Sequence, residues 1–216
     1  MRPGITWRPA QGEPTVTVLL RHGQTPMSVQ KRYAGRSDVP LTDVGVQQAA
    51  AAAKRLVSAG LDGIVTSPLL RTVQTAREVA AVSGAAVVTD DGFRETDFGA
   101  WEGRTFAEVR ERWPAELSAW LADPEVAPPG GESFTDVSAR VTAALHRVLA
   151  ARQGQTVLIV SHVTPIKTLV TAALLAPPAA LYRMHLDVAA LSEIDWYADG
   201  PAVLRSFNDT GHLCDQ

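Results

Sequence analysis

The chain has 216 residues, of which 46% are hydrophobic and 20% charged, with a net charge of −3; the length suits one large globular domain, and the acidic balance argues against a nucleic-acid-binding surface, which needs clustered Lys and Arg. The one cysteine, Cys214, excludes an intrachain disulfide and gives no sign of an oxidising compartment. No segment reaches the roughly 18 uninterrupted apolar residues of a membrane span, so a cytoplasmic protein with no membrane partner is expected.

Residues 1–14 carry Pro3, Pro9 and Pro14 and no apolar run of signal-peptide type. They read as a tail or a linker, equally the end of a linker in a longer parent chain fused to another domain at its N-terminus. The remaining residues, 15–216, read as one domain. Thr15 to Leu20 is a short β-branched apolar strand that runs directly into Arg21-His22-Gly23. Asp43 to Gly60 places Val46, Ala49, Ala53, Leu56 and Val57 at helical spacing, with Gly60 as the stop. Asp62 to Thr66 is a second strand. Ser67-Pro68 then reads as an N-cap and first-turn proline opening a helix to about Ala81. Ala86 to Thr89 is a third strand.

Residues 92 to 131 are irregular, with helical pieces at Phe106 to Trp113 and Ala115 to Leu121, then a turn-rich loop at Pro128-Pro129-Gly130-Gly131. Ser133 to Arg152 is a long amphipathic helix. Thr156 to Val160 is a wholly apolar strand of the kind found inside parallel sheets. Thr164-Pro165 opens another helix, and Val188 to Trp196 and Ala202 to Phe207 are β-like. Strands alternating with helices predict an α/β fold, three-layer α/β/α around a mostly parallel sheet.

Four segments carry the chemistry. Arg21-His22-Gly23 ends a strand, where open α/β sheets bind ligands. Arg71 falls in the first turn of a helix after a strand, a place that favours anions. His162 ends another strand. Glu95, Asp97 and Glu102 lie in Phe93-Arg94-Glu95-Thr96-Asp97-Phe98-Gly99-Ala100-Trp101-Glu102-Gly103. Taken singly, each has an ordinary explanation: a surface Arg-His turn, a solvated or salt-bridged Arg71, a packing His162, three surface acids. Ser161 beside His162 is no serine nucleophile, because no G-x-S-x-G elbow surrounds it and neighbouring strand residues face opposite ways.

Taken together, the four segments resemble the histidine phosphatase (phosphoglycerate-mutase-like) superfamily in composition, order and spacing, from Val16 to His212. Gly35-x-x-Asp38-x-Pro40-Leu41-Thr42-x-x-Gly45 and Gly130-Gly131-Glu132-Ser133 belong to the same likeness. The resemblance implies that His22 accepts the phosphoryl group, that Arg21, Arg71 and His162 bind it, and that Glu95 is the general acid. Asp97 and Glu102 match less directly. Ser28 stands where an asparagine often supplies an amide to the phosphate, so its shorter hydroxyl is expected in that substrate-binding place. Arginine charge in place of a metal implies no metal and no cofactor.

The resemblance leaves a phosphatase, a mutase or a phospho-ligand binding module. Mutases of the family carry a longer insertion with paired arginines after the Glu95 region, whereas Arg104, Arg110 and Arg112 here form no adjacent pair. A phosphatase of small phosphate monoesters is therefore expected, similar to α-ribazole phosphatases and broad-specificity acid phosphatases; such domains also occur behind a ribonuclease H domain. Phe106, Val109, Trp113, Leu117 and Trp120 are spaced for packing a cap segment onto the body, with an aromatic substrate lid as the alternative.

Overall fold

A computed structural model describes residues 10–214. Most of the expected tail therefore lies outside the described residues, and 10–14 carry no helix or strand. The strands are β1 (Thr15–Arg21), β2 (Gly63–Thr66), β3 (Val87–Thr89), β4 (Thr156–Ser161), β5 (Leu191–Trp196) and β6 (Ala202–Asp209). They form one sheet in the order β3-β2-β4-β1-β5-β6. The pairs β3–β2, β2–β4 and β4–β1 are parallel; β1–β5 and β5–β6 are antiparallel.

The two central strands alternate sides, as a period of two requires. Val18 and Leu20 of β1 and Leu158 and Val160 of β4 face one core. Leu19, Val157 and Ile159 face the other. The first core is closed by α2 (Asp43–Leu56) and α3 (Leu70–Ser83), the second by α6 (Phe134–Ala151) and α7 (Val163–Ala173). Each helix presents a stripe: Ala49, Ala52, Ala53 and Leu56 on α2, and Val137, Val141, Ala144, Leu145 and Val148 on α6. The result is a three-layer α/β/α domain.

Three shorter helices complete it: α1 (Pro26–Val29), α4 (Phe106–Arg112) and α5 (Pro114–Ala122). The last two cap the body. Val109, Leu117 and Trp120 are buried with Phe98, Trp101 and Phe134 in a third apolar cluster, and Trp113 packs at its edge. Phe106 is 45% exposed and takes no part. Among the described residues no helix is long and apolar enough to cross a membrane.

One boundary differs instructively from its sequence expectation. The helix expected at Ser67-Pro68 begins at Leu70, with Leu69 as an N-cap that makes no side-chain bond. Ser67 is fully buried and its hydroxyl lies against His162 instead. The hydroxyl also accepts from the Leu69 amide at 3.4 Å, so Ser67 closes a turn before the helix and holds His162 as well.

Candidate active site

The sheet places its strand ends before any side chain is considered. Arg21 and Ser161 are register partners across β1 and β4, and the His22 N–H donates to the Ser161 carbonyl at 3.1 Å. The long helix that follows β1, α2, covers one face of the sheet, and α7, which follows β4, covers the other. Adjacent strands whose connections part in this way open a crevice at their carboxyl ends. His22 and His162 both sit there, with ring centroids 5.2 Å apart.

The loop behind His22 leaves no room for a side chain. A Cβ on Gly23 would lie 2.3 Å from the Gly45 carbonyl oxygen, and one on Gly45 would lie 2.1 Å from that of Gln24. The His22 carbonyl accepts from the Ala189 N–H at 3.0 Å, so the residue is pinned from both sides. Its ring nitrogen Nδ1 lies 2.8 Å from the Gly23 carbonyl. A carbonyl only accepts, so Nδ1 carries the proton and Nε2 keeps a lone pair. Nε2 has no hydrogen-bond partner among the described residues. Burial, then the charges of Arg71 and Arg21, hold the His22 pKa well below 6.5 and keep the ring neutral.

His162 is fully buried and its tautomer follows by the same logic. Arg71 Nε, always a donor, lies 3.2 Å from His162 Nδ1. The proton therefore sits on Nε2, which donates to Ser67 Oγ at 2.8 Å. Burial and Arg71 also lower this pKa well below 6.5. Ser161 Oγ donates to the Phe93 carbonyl at 2.7 Å and stands away from this chemistry.

Arg71 is neither solvated nor salt-bridged. Fully buried, it donates from its two terminal nitrogens to the carbonyls of Ser37, Ala34 and Gly35 at 2.7, 2.9 and 3.0 Å. Glu102 holds the same loop from the other side, accepting from the amides of Gly35 and Arg36 and the Ser37 hydroxyl. Gly35 is a close approach: a Cβ there would meet the Thr96 carbonyl oxygen at 2.0 Å. Glu102 thus fastens a loop, and Asp97 accepts from the Gly99 amide and pairs with Arg36 at 3.4 Å.

Glu95 is 6% exposed, at the N-terminus of α7. Its carboxylate accepts from the amides of Thr96 at 2.9 Å, Val163 at 3.0 Å and Thr164 at 3.2 Å. The backbone beneath it is held by Arg140, which donates to the carbonyls of Gly92, Arg94 and Glu95 and to both oxygens of Glu132. All five guanidinium N–H groups are used.

A cleft of about 420 Å³ opens over these groups, lined by Arg21, His22, Ser28 and Glu95. Arg21 donates to the Leu186 carbonyl at 2.6 Å, while its Nε is buried without a partner. Burial lowers its pKa to about 10, still a cation near neutrality. Arg71 and His162 are not among the lining groups and lie beneath His22 with their donors turned to protein partners. Ser28 lines the cleft, but its hydroxyl donates to the Thr25 carbonyl at 2.8 Å and accepts from the Thr25 amide, closing the capping box of α1. Its single proton is therefore directed away from the cleft. Ser67 reads in the sequence as an N-cap and not as a partner of His162, and Arg140 and Lys167 carry no signal of a site role there.

A model of the histidine phosphatase superfamily (branch 1) matches residues 17–210. The chain belongs to that superfamily. It is 50% identical over 208 residues to the "Bifunctional protein Rv2228c" of Mycobacterium tuberculosis, covering 96% of the chain and 57% of that relative, so it spans little more than half of the relative's length. It is 37% identical to the "Probable phosphoglycerate mutase GpmB" of Proteus mirabilis, covering 91% of the chain and 94% of that protein. Among solved structures it superposes on the α-ribazole phosphatase of Shigella flexneri with a TM-score of 0.82 and 30% identity, over 90% of this chain and 96% of that one.

Proposed function

We propose that this histidine phosphatase hydrolyses small phosphate monoesters, without a metal, through a phosphohistidine on His22. The observation that carries the proposal is the His22 ring: neutral, its Nδ1 proton on the Gly23 carbonyl at 2.8 Å and its Nε2 lone pair unengaged beside the cleft. Neutral imidazole is the nucleophile that phosphoryl transfer needs.

In the proposed cycle the Nε2 lone pair attacks phosphorus and the bond from phosphorus to the ester oxygen breaks. Glu95 gives its proton to the leaving oxygen. Water then attacks the phosphohistidine, Glu95 takes the proton back, and phosphate departs. Arg21 lines the cleft as a cation, with Nη1 anchored on the Leu186 carbonyl, and is suited to bind the equatorial oxygens as charge shifts onto them. Arg71 acts from below by its charge and His162 by holding the floor; four of the five Arg71 N–H groups are bonded to protein, which leaves one Nη1 N–H for the phosphoryl group, whereas direct donation by His162 requires it to release Ser67. Among the described residues no group of three or more His, Cys, Asp or Glu side chains is arranged to hold a metal ion.

The likeness to α-ribazole phosphatase makes α-ribazole phosphate one substrate to test. We further propose that residues 1–14 join this domain to another one; the mycobacterial relative, of which the chain covers 57%, is long enough to hold a further domain. The mutase alternative draws on the Proteus relative's name and differs in the acceptor: water for a phosphatase, a phosphoglycerate for a mutase.

The test is a rapid quench after brief exposure to ³²P-labelled phenyl phosphate. Label that is acid-labile, base-stable and absent from His22→Ala supports the mechanism, as does turnover unchanged in EDTA and lost in vanadate. Equal labelling of His22→Ala would refute it. Steady-state turnover of that variant is expected to fall by on the order of 10⁴-fold or more, with its fold intact.

A further inference from the structure

The cleft is larger than a phosphoryl group requires. At about 420 Å³ it falls in the range of roughly 300–1,000 Å³ typical of pockets that enclose whole ligands. Its outer wall is aromatic, built from Tyr33, Phe98, Trp120, Phe134 and Tyr182. Trp120 packs edge-on to Tyr33 and Tyr182, with centroids 6.4 and 6.2 Å apart, so the rings are held by one another. Such a wall suits a ring-bearing leaving alcohol.

One cation in this wall has no counter-ion. Lys167 lines the cleft. Its ammonium makes a single hydrogen bond, to the Leu181 carbonyl at 3.3 Å, which leaves two of its three donors open. Among the described residues no carboxylate lies within ion-pair distance of it. Open to the cleft, those two donors are held by water until an anionic oxygen takes its place. The charged groups that act on it are Glu95 and Arg21, and burial lowers its pKa.

Its position on α7 sets what the ligand must look like. The amides of Val163 and Thr164 hold Glu95. Lys167 follows them by four and three residues, about one turn or ~5 Å along the same helix face. With Glu95 at the ester oxygen, as the proposed function has it, the leaving alcohol passes Lys167 on its way to the aromatic wall.

We propose that Lys167 is a leaving-group subsite for an anionic oxygen substituent, and that the substrate is a ring-bearing phosphate monoester carrying such a substituent about one helical turn from the scissile oxygen. The inference rests on the phosphatase reading of the site.

Three probes test it: phenyl phosphate, 3-carboxyphenyl phosphate and 3-carbamoylphenyl phosphate. The last two match in shape and differ in charge. The readout is the ratio of kcat/KM for carboxylate over carboxamide within one preparation, which a general loss of activity or of folded fraction leaves unmoved. The wild-type protein is expected to favour the carboxylate by about 10-fold or more, the effect of a charge-assisted bond. Lys167→Gln should bring the ratio near one and Lys167→Glu should invert it. Added salt should lower the wild-type ratio. A ratio equal in wild type, Lys167→Gln and Lys167→Glu overturns the subsite while phenyl phosphate turnover leaves the phosphatase reading standing. No turnover of phenyl phosphate, and no label on His22, overturns both.

Discussion

The floor of the cleft and its wall are built by different means. The floor consists of His22, Arg71, His162 and Glu95, all buried, and the backbone or a floor neighbour fixes each side chain. Strand register and two abutting glycine loops set their positions. The wall consists of Lys167 on α7, Ser28 on α1 and aromatic rings from loops, the cap and the start of α6; Phe98, Trp120 and Phe134 are buried, whereas Lys167, Ser28, Tyr33 and Tyr182 are partly open. The contrast teaches where change is best tolerated. The floor groups are fixed by burial and by the backbone, whereas the open side chains of the wall can change with less disturbance to them.

Substitutions should separate the two regions. The largest effect in the floor, beyond loss of the nucleophile, is expected from Glu95→Gln. Single-turnover phosphorylation by an alkyl phosphate should fall by about 10²–10⁴-fold, while p-nitrophenyl phosphate, whose leaving group needs no proton, is largely spared. Equal loss on both substrates would reduce Glu95 to a cap of α7. Gly23→Ala comes next. Its methyl would lie 2.3 Å from the Gly45 carbonyl oxygen, so the His22 loop must shift, and a displacement of about 1 Å costs roughly 10²-fold in phosphorylation rate. Wild-type rates in that variant would show that the floor is less rigid than its packing.

Acid should expose the floor as well. His22 and His162 are buried, and both pKa values lie well below 6.5 through burial first and Arg71 second. Below pH 6.5 the unfolded chain binds protons at these positions that the folded chain refuses. Stability is therefore complete above pH 6.5 and falls as pH drops toward the folded pKa values, by up to about 1.4 kcal/mol per pH unit for each histidine. Urea titrations of wild type and His162→Gln across this range should give a shallower slope for the variant; parallel slopes would show that His162 titrates normally. The smallest effect belongs to the wall. Ser28→Ala removes the reciprocal half of the α1 capping box, the Thr25 N–H to Ser28 Oγ bond, while Thr25 still caps the residue-28 amide; it should cost about 0.5–1.5 kcal/mol, with phosphorylation by phenyl phosphate changed only a few-fold. A loss comparable to that of Gly23→Ala would place the Ser28 hydroxyl in phosphate binding after all.

Much of this was legible along the chain. β1 and β4 announce themselves as apolar runs ending in Arg21-His22 and Ser161-His162, and α6 as an apolar stripe, because burial on one or two faces writes a period into the sequence. The partners of single polar groups were not legible. Ser67 has the local signature of an N-cap, yet His162, far along the chain, takes its hydroxyl. Glu102 reads as one of three nearby acids until the 35–37 loop is laid against it. Lys167 reads as an ordinary helix cation until the absence of a carboxylate near it is seen.

The sequence by itself determined the layers, the strand ends at which chemistry occurs, the residues there and the superfamily. Those features follow from periodicity and from residue type, which are local or nearly so. Only the tertiary structure decided which nitrogen of each histidine carries the proton, that Arg71 and His162 are fully buried beneath the cleft, and that Ser28 turns its proton inward. Each of these depends on one hydrogen-bond donor meeting one acceptor within about 3 Å, and that meeting is set by segments that only folding brings together.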